Sequence, residues 1–194
     1  MLLRRILLAF ILLGLMVFLA FNFISKNRIK AVSVPLVANT LIIGESRDWP
    51  VRLKIPKLNI NANVEYVGLT QDRAMDVPQK PDDVAWFTLG PRPGEIGSSV
   101  IDGHSGYKDN IPAVFDNLHK LQKGDKIYIE DSKGITVTFI VREFRTYGLN
   151  DDVSSVFDSN DGKSHLNLIT CSGVWNDKEK THATRLIIFT DLTF

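Results

Sequence analysis

The sequence predicts an all-β domain closed into a barrel, and three observations carry that prediction. Seven short stretches rich in β-branched or alternating apolar residues fall within residues 50–194. Turn-forming clusters separate them. Only one segment there spaces its apolar residues as a helix does. A set of strands this size must protect its edges, and closing the sheet on itself does so.

In chain order the predicted strands are VRLKI at 51–55, ANVEYV at 62–67, SSVID at 98–102, DKIYIE at 125–130, ITVTFIVREF at 135–144, LNLITC at 166–171 and TRLIIFTDL at 184–192. TLGPRPGEIG at 88–97 reads as a rigid loop, because its prolines fix φ and its glycines supply the tight bends. DSKG at 131–134 reads as the turn of a hairpin. The helical spacing lies at 112–121, where Val114, Leu118 and Leu121 share a face after Pro112.

Ahead of this domain, ILLAFILLGLMVFLAFNFI at 6–24 carries no charge and is just long enough to cross a bilayer as a helix. A cleaved signal peptide would have a shorter apolar run and a small-x-small site, whereas Leu19, Ala20 and Phe21 lead into further apolar residues. The expected layout is a cytoplasmic stub at 1–5, a transmembrane signal anchor at 6–24, a juxtamembrane stalk at 25–49 and a domain at 50–194. Basic residues flank the span on both sides, so orientation rests on the short stub, which places the bulk of the chain outside the cell membrane. Without those five flanking cations the chain has 18 Lys+Arg against 22 Asp+Glu. An acidic domain argues against a nucleic-acid partner.

Cys171 is the single cysteine, so no disulfide within the chain is available to it. Most lone cysteines are small buried hydrophobes. Here alternation puts Asn167, Ile169 and Cys171 on one face of LNLITC, and Ser172 and Gly173 break the pattern at once. That places the thiol at the rim of a sheet. If the next strand is its antiparallel neighbour, Arg185 falls beside it. Arginine in an apolar strand is either an edge charge that blunts aggregation or a fixed cation that favours a thiolate and holds an oxyanion. His104, after SSVIDG, also stands at a strand end and could donate a proton to a leaving amine. His119, His165 and His182 are its rivals, with His182 the nearest to Arg185 in sequence. Asp102 reads either as a partner of His104 or as a solvated strand-end carboxylate, and Trp175 either walls a groove or packs. The four histidines and the cysteine show no metal-ligand spacing, and there is no phosphate-cradling glycine loop, so neither a metal nor a cofactor is expected.

LITCSG and THATRLIIF, with fourteen residues from Cys171 to Arg185, resemble the cysteine and arginine motifs of sortases, and VIDGHSG resembles that family's histidine motif. The likeness runs through PVRLKIPKLNINANVEYVGL, DVAWFTLGPRPGEIGSSVIDGH and IPAVFDNLHKLQKGDKIYI, and it is most similar to the class E/F type. The resemblance implies an eight-stranded barrel with one or two short helices, acting as an extracytoplasmic cysteine transpeptidase. On that reading Cys171 attacks the Thr–Gly bond of an LPxTG-like sorting signal, His104 serves the departing amine and Arg185 steadies the oxyanion. Thr170 and Trp175 would border the substrate, and an amine of the cell envelope would take the acyl group. A barrel that keeps the fold and binds peptide or wall polymer without reacting is the alternative, and an enzyme that only hydrolyses is a third. The acidic residues Asp151, Asp152, Asp158 and Asp161 are similar to the calcium loop of class A sortases. The segment before His104 brings only one glutamate to match them, so calcium is not expected.

Overall fold

The computed structural model describes residues 48–106, 111–177 and 181–193. The stub, the apolar span and the stalk as far as residue 47 lie outside the described residues. Among those described, no helix is long and apolar enough to cross a membrane.

Eight strands build the domain: β1 (Pro50–Ile55), β2 (Ile60–Val67), β3 (Val84–Phe87), β4 (Gly97–Gly103), β5 (Lys126–Asp131), β6 (Thr136–Gly148), β7 (Ser164–Asn176) and β8 (Thr181–Thr193). Their spatial order is β1-β2-β3-β4-β7-β8-β6-β5, and pairing of β5 with β1 closes the barrel. The β2–β3 and β4–β7 contacts are parallel. A parallel neighbour needs a crossover. For β4 and β7 that crossover contains β5 and β6, so two segments far apart in sequence end side by side.

Alternation sorts each strand into an inner and an outer face. Leu166 and Leu168 of β7 point inward with Ile101, Trp86, Phe139 and Ile188, in a core of fully buried side chains. Each such side chain contributes about 1.5–3 kcal/mol by leaving water. A smaller outer cluster of Val100, Val156, Ile187 and Phe189 forms where α1 (Ser154–Phe157) covers β4, β7 and β8. A single turn this short does not persist by itself. It is held by the complete burial of Val156 and by Asn167 Nδ2, which donates to the Val156 carbonyl at 2.6 Å.

The turn at 131–134 forms as the sequence predicts. Gly134 takes a positive φ of 79° and its N–H donates to the Asp131 carbonyl, while Asp131 Oδ1 accepts from the N–H groups of Lys133 and Ile135. Two expectations need correction. β3 was not predicted, because VAWF is a four-residue apolar run without alternation. The helix expected at 112–121 is instead a turn followed by a 3₁₀ segment, Leu118–Lys120. Phe115, Leu118 and Leu121 are all buried, and a spacing of three suits a 3₁₀ turn. Asp116 fixes the entry by accepting from the N–H groups of Gly106 and Ala113.

This segment packs onto Gly103, where a Cβ would stand 2.9 Å from Val114 Cγ1 and closer still to the Phe115 ring. Gly103→Ala is therefore expected to destabilise the domain by about 1–3 kcal/mol. Thermal unfolding followed by circular dichroism checks this, and an unchanged Tm would contradict the packing described.

Candidate active site

Strand register brings three chemically active side chains onto one outer face. Cys171 of β7 is paired directly with Arg185 of β8. Asp102 of β4 is paired with Ile169, two residues before the cysteine and on the same face. Above them opens a cleft of about 520 Å³, walled by Met75, Val77, Phe87, Val156 and Phe157 and continuous with the outer apolar cluster. On its other side Cys171 also borders a hollow of about 640 Å³, edged by Ser105, Thr170, Ser172 and His182.

The strand does not stop at Cys171, as the pattern break suggested. It continues to Asn176 through a bulge, with the register shifting between Ser172 and Trp175. Gly173 makes the bulge possible: its φ is 78°, and a Cβ there would meet Thr184 Oγ1 at 2.8 Å. The bulge leaves the thiol half-buried between the two hollows, where a regular ladder would have carried the pleat straight on.

Arg185 is anchored by the hairpin that follows Cys171. Nη1 donates to the carbonyls of His182 and Thr184 at 3.0 Å each, and Nη2 donates to Thr181 Oγ1 at 2.9 Å. Nε–H and one Nη2 hydrogen remain uncommitted among the described residues. The thiol of Cys171 is pushed above its ordinary range by burial, pulled back by the Arg185 cation and pushed up again by the Asp102 carboxylate. Asp102 itself is pushed up to about 7, because burial outweighs the attraction of Arg185 and the hydrogen bond from the Gly103 backbone. Asp102 belongs to the electrostatics of Cys171 and Arg185. Asp102→Asn removes a charge that opposes the thiolate. The pH midpoint of Cys171 alkylation by iodoacetamide is expected to fall, and a midpoint that stays or rises would contradict the coupling.

His104 follows directly after β4, with its backbone laced to β7 on both sides. The Gly103 carbonyl accepts from Thr170 Oγ1 at 2.7 Å, and Ser105 Oγ donates to the Cys171 carbonyl at 2.5 Å. His104 Nε2 lies 2.7 Å from the Pro78 carbonyl, next to Val77 of the cleft wall. Thr170 is buried, only 2% exposed, on the inner face, and its hydroxyl serves the β4–β7 junction. Trp175 is 49% exposed on the hairpin, with its ring 5.3 Å from that of His182, and lines neither hollow. Asp151, Asp152 and Asp161 do not converge: they accept from Gly148 N–H, Ser154 N–H and the His165 ring respectively. Among the described residues no cluster of three or more His, Cys, Asp or Glu side chains is placed to hold a metal ion.

A sortase-domain family model matches residues 53–193, which spans every strand except the start of β1 and includes Asp102, His104, Cys171 and Arg185. The chain belongs to the sortase family. Sortases are cysteine transpeptidases, so the free thiol beside an arginine is the feature this barrel is expected to display. Solved sortases share the fold: sortase A from Corynebacterium diphtheriae matches at a TM-score of 0.58 with 21% identity, over 76% of this chain and 62% of that one. Sortase C-1 from Actinomyces oris matches at 0.59 with 22% identity, over 75% of each chain. Sortase C1 from Streptococcus agalactiae matches at 0.59 with 23% identity, over 74% of this chain and 67% of that one. This chain therefore spans less than two thirds of the Corynebacterium protein. No curated protein matches the sequence.

Sequence reasoning missed the apolar walls of the cleft, which come from the loop after β2, from the end of β3 and from α1. It also missed Ser105, whose signal was only its position next to His104.

Proposed function

We propose that this sortase is a membrane-anchored cysteine transpeptidase of the class E/F type, acting outside the cell membrane on LPxTG-like sorting signals. In this reading residues 6–24 are the anchor, 25–49 the stalk and 50–194 the catalytic domain. The observation that carries it is the direct pairing of Cys171 with Arg185 at the edge of an apolar cleft. A thiol that only fills space does not need a fixed cation opposite it, in an environment that otherwise holds it protonated.

The chemistry divides as follows. Cys171 Sγ attacks the carbonyl carbon between the threonine and glycine of the signal, and its proton passes to the His104 imidazole. A carbonyl only accepts hydrogen bonds, so in the contact with Pro78 His104 Nε2 is the donor. The uncommitted donors of Arg185 serve the tetrahedral oxyanion. The C–N bond then breaks, the departing amine takes the proton from His104, and a thioester remains on Cys171. An envelope amine attacks that thioester, the new amide forms, and sulfur recovers a proton through the same imidazole. Covalent catalysis in this way replaces one difficult acyl transfer by two easier ones. Thr170 contributes by joining β7 to β4 beneath the groove, and Trp175 by standing at the outer end of the hairpin.

Full-length protein in detergent micelles, incubated with a labelled LPxTG-type peptide and triglycine, is expected to yield the amine-transfer product and a thioester adduct by intact mass. Absence of both, with a thiol that resists alkylation, would leave the silent peptide-binding barrel in its place. Product formed only with water would point to hydrolysis.

A further inference from the structure

Asp102 is the wrong kind of residue for the floor of this cleft. Register sets it beside Ile169, one strand over and roughly 7 Å along the strand direction from the position of Cys171. Met75, Val77, Phe157, Ile169 and Ile187 make the surroundings apolar. Among the described residues the Gly103 backbone is its hydrogen-bond partner, and Arg185 acts on it through space while the arginine's own donors hold the hairpin. Asp102 is half-buried, and a carboxyl taken partly out of water without full replacement of its hydrogen bonds carries a free-energy cost. A bound donor would offset that cost, and sites built to meet a polar group discriminate strongly against ligands that lack it.

We propose that Asp102 is a binding residue for the acyl-donor peptide, its carboxyl accepting a hydrogen bond from a neutral N–H or O–H group of the peptide seated in the cleft. This rests on the transpeptidase reading. The donor is neutral because Arg73 and Arg185 already face Asp102 and Asp151 around the cleft, and a further charge brought into that balanced, largely apolar space would lack a counter-charge. Burial raises the titration of Asp102 to about 7 against the pull of Arg185 and the Gly103 backbone. The donor has two sources within one peptide, a backbone amide or a side-chain hydroxyl, and the experiment separates them.

The test is a double-mutant cycle on the full-length protein, with LPxTG-type peptides carrying either one N-methylated amide or a threonine-to-valine replacement. For wild type, one of these modifications is expected to lower kcat/KM by about 10-fold, mainly through KM. The same modification should cost Asp102→Ala less than about 2-fold, because the acceptor is already gone. Asp102→Asn keeps the shape of the carboxyl without its charge, so it protects the test against a misfolded alanine variant, and its penalty should fall between the two. Each penalty is a ratio within one enzyme, so the altered thiol titration in the variants cancels. An N-methyl penalty identifies a backbone amide, and a valine penalty a hydroxyl. Equal penalties in wild type and both variants for every peptide would overturn the role of Asp102 while leaving the transpeptidase intact. No turnover of any peptide by wild type would overturn both.

Discussion

Cys171→Ala is expected to form no thioester with an LPxTG-type peptide and to lose turnover by on the order of 10⁴-fold or more. The sulfur is the atom to which the acyl group bonds, and neither the arginine nor any histidine near it can substitute. The fold should survive the change. Cys171 holds its place in the β7–β8 ladder through its backbone and its side chain is only half-buried, so alanine removes little apolar area. Intact-mass analysis with peptide, alongside a Tm within a few degrees of wild type, checks both halves. Turnover that persists at the wild-type level would remove Cys171 from the mechanism altogether.

Arg185→Ala is expected to lower kcat/KM by about 10²–10³-fold. Two contributions combine in that loss. The cation at Arg185 favours the Cys171 thiolate against the burial that opposes it, so removing it pushes the thiol still higher. At a fixed pH less thiolate is then present, and the alkylation curve moves to higher pH, opposite in sign to the shift expected for Asp102→Asn. The guanidinium also fastens the hairpin through the carbonyls of His182 and Thr184 and the hydroxyl of Thr181. Arg185→Lys separates the two, since an ammonium keeps the charge and loses the fork. Its alkylation curve should lie close to wild type while its turnover stays low. A lysine variant that recovers both would reduce the role of Arg185 to charge alone.

Much of the barrel was legible because alternation with period two survives in long half-buried strands. LNLITC assigned its own inner and outer faces, and TRLIIFTDL its partner position, so the Cys171–Arg185 pairing followed from two strands and one loop. β3 left no trace, since its four residues are apolar throughout and carry no period. The segment 112–121 showed a helical spacing, but three buried residues at intervals of three and the Asp116 side-chain bonds pulled it into a 3₁₀ turn. What was legible of the site was the Cys171–Arg185 pair, and not the cleft beside it. Its walls come from elements that meet only in three dimensions, with Met75 and Val77 from one loop and Val156 and Phe157 from α1. The link between Asp102 and Arg185 was hidden for the same reason, because β4 and β8 are each neighbours of β7 and not of one another.

Barrel closure has a consequence for how any extended polypeptide is received. Within the paired registers every strand already has two neighbours, so a visiting chain could add a backbone ladder only along the outer stretch of β7, past Ile169 where its pairing with β4 ends. Everywhere else recognition falls to side chains, so the place where main-chain pairing could be offered coincides with the stretch that carries Cys171.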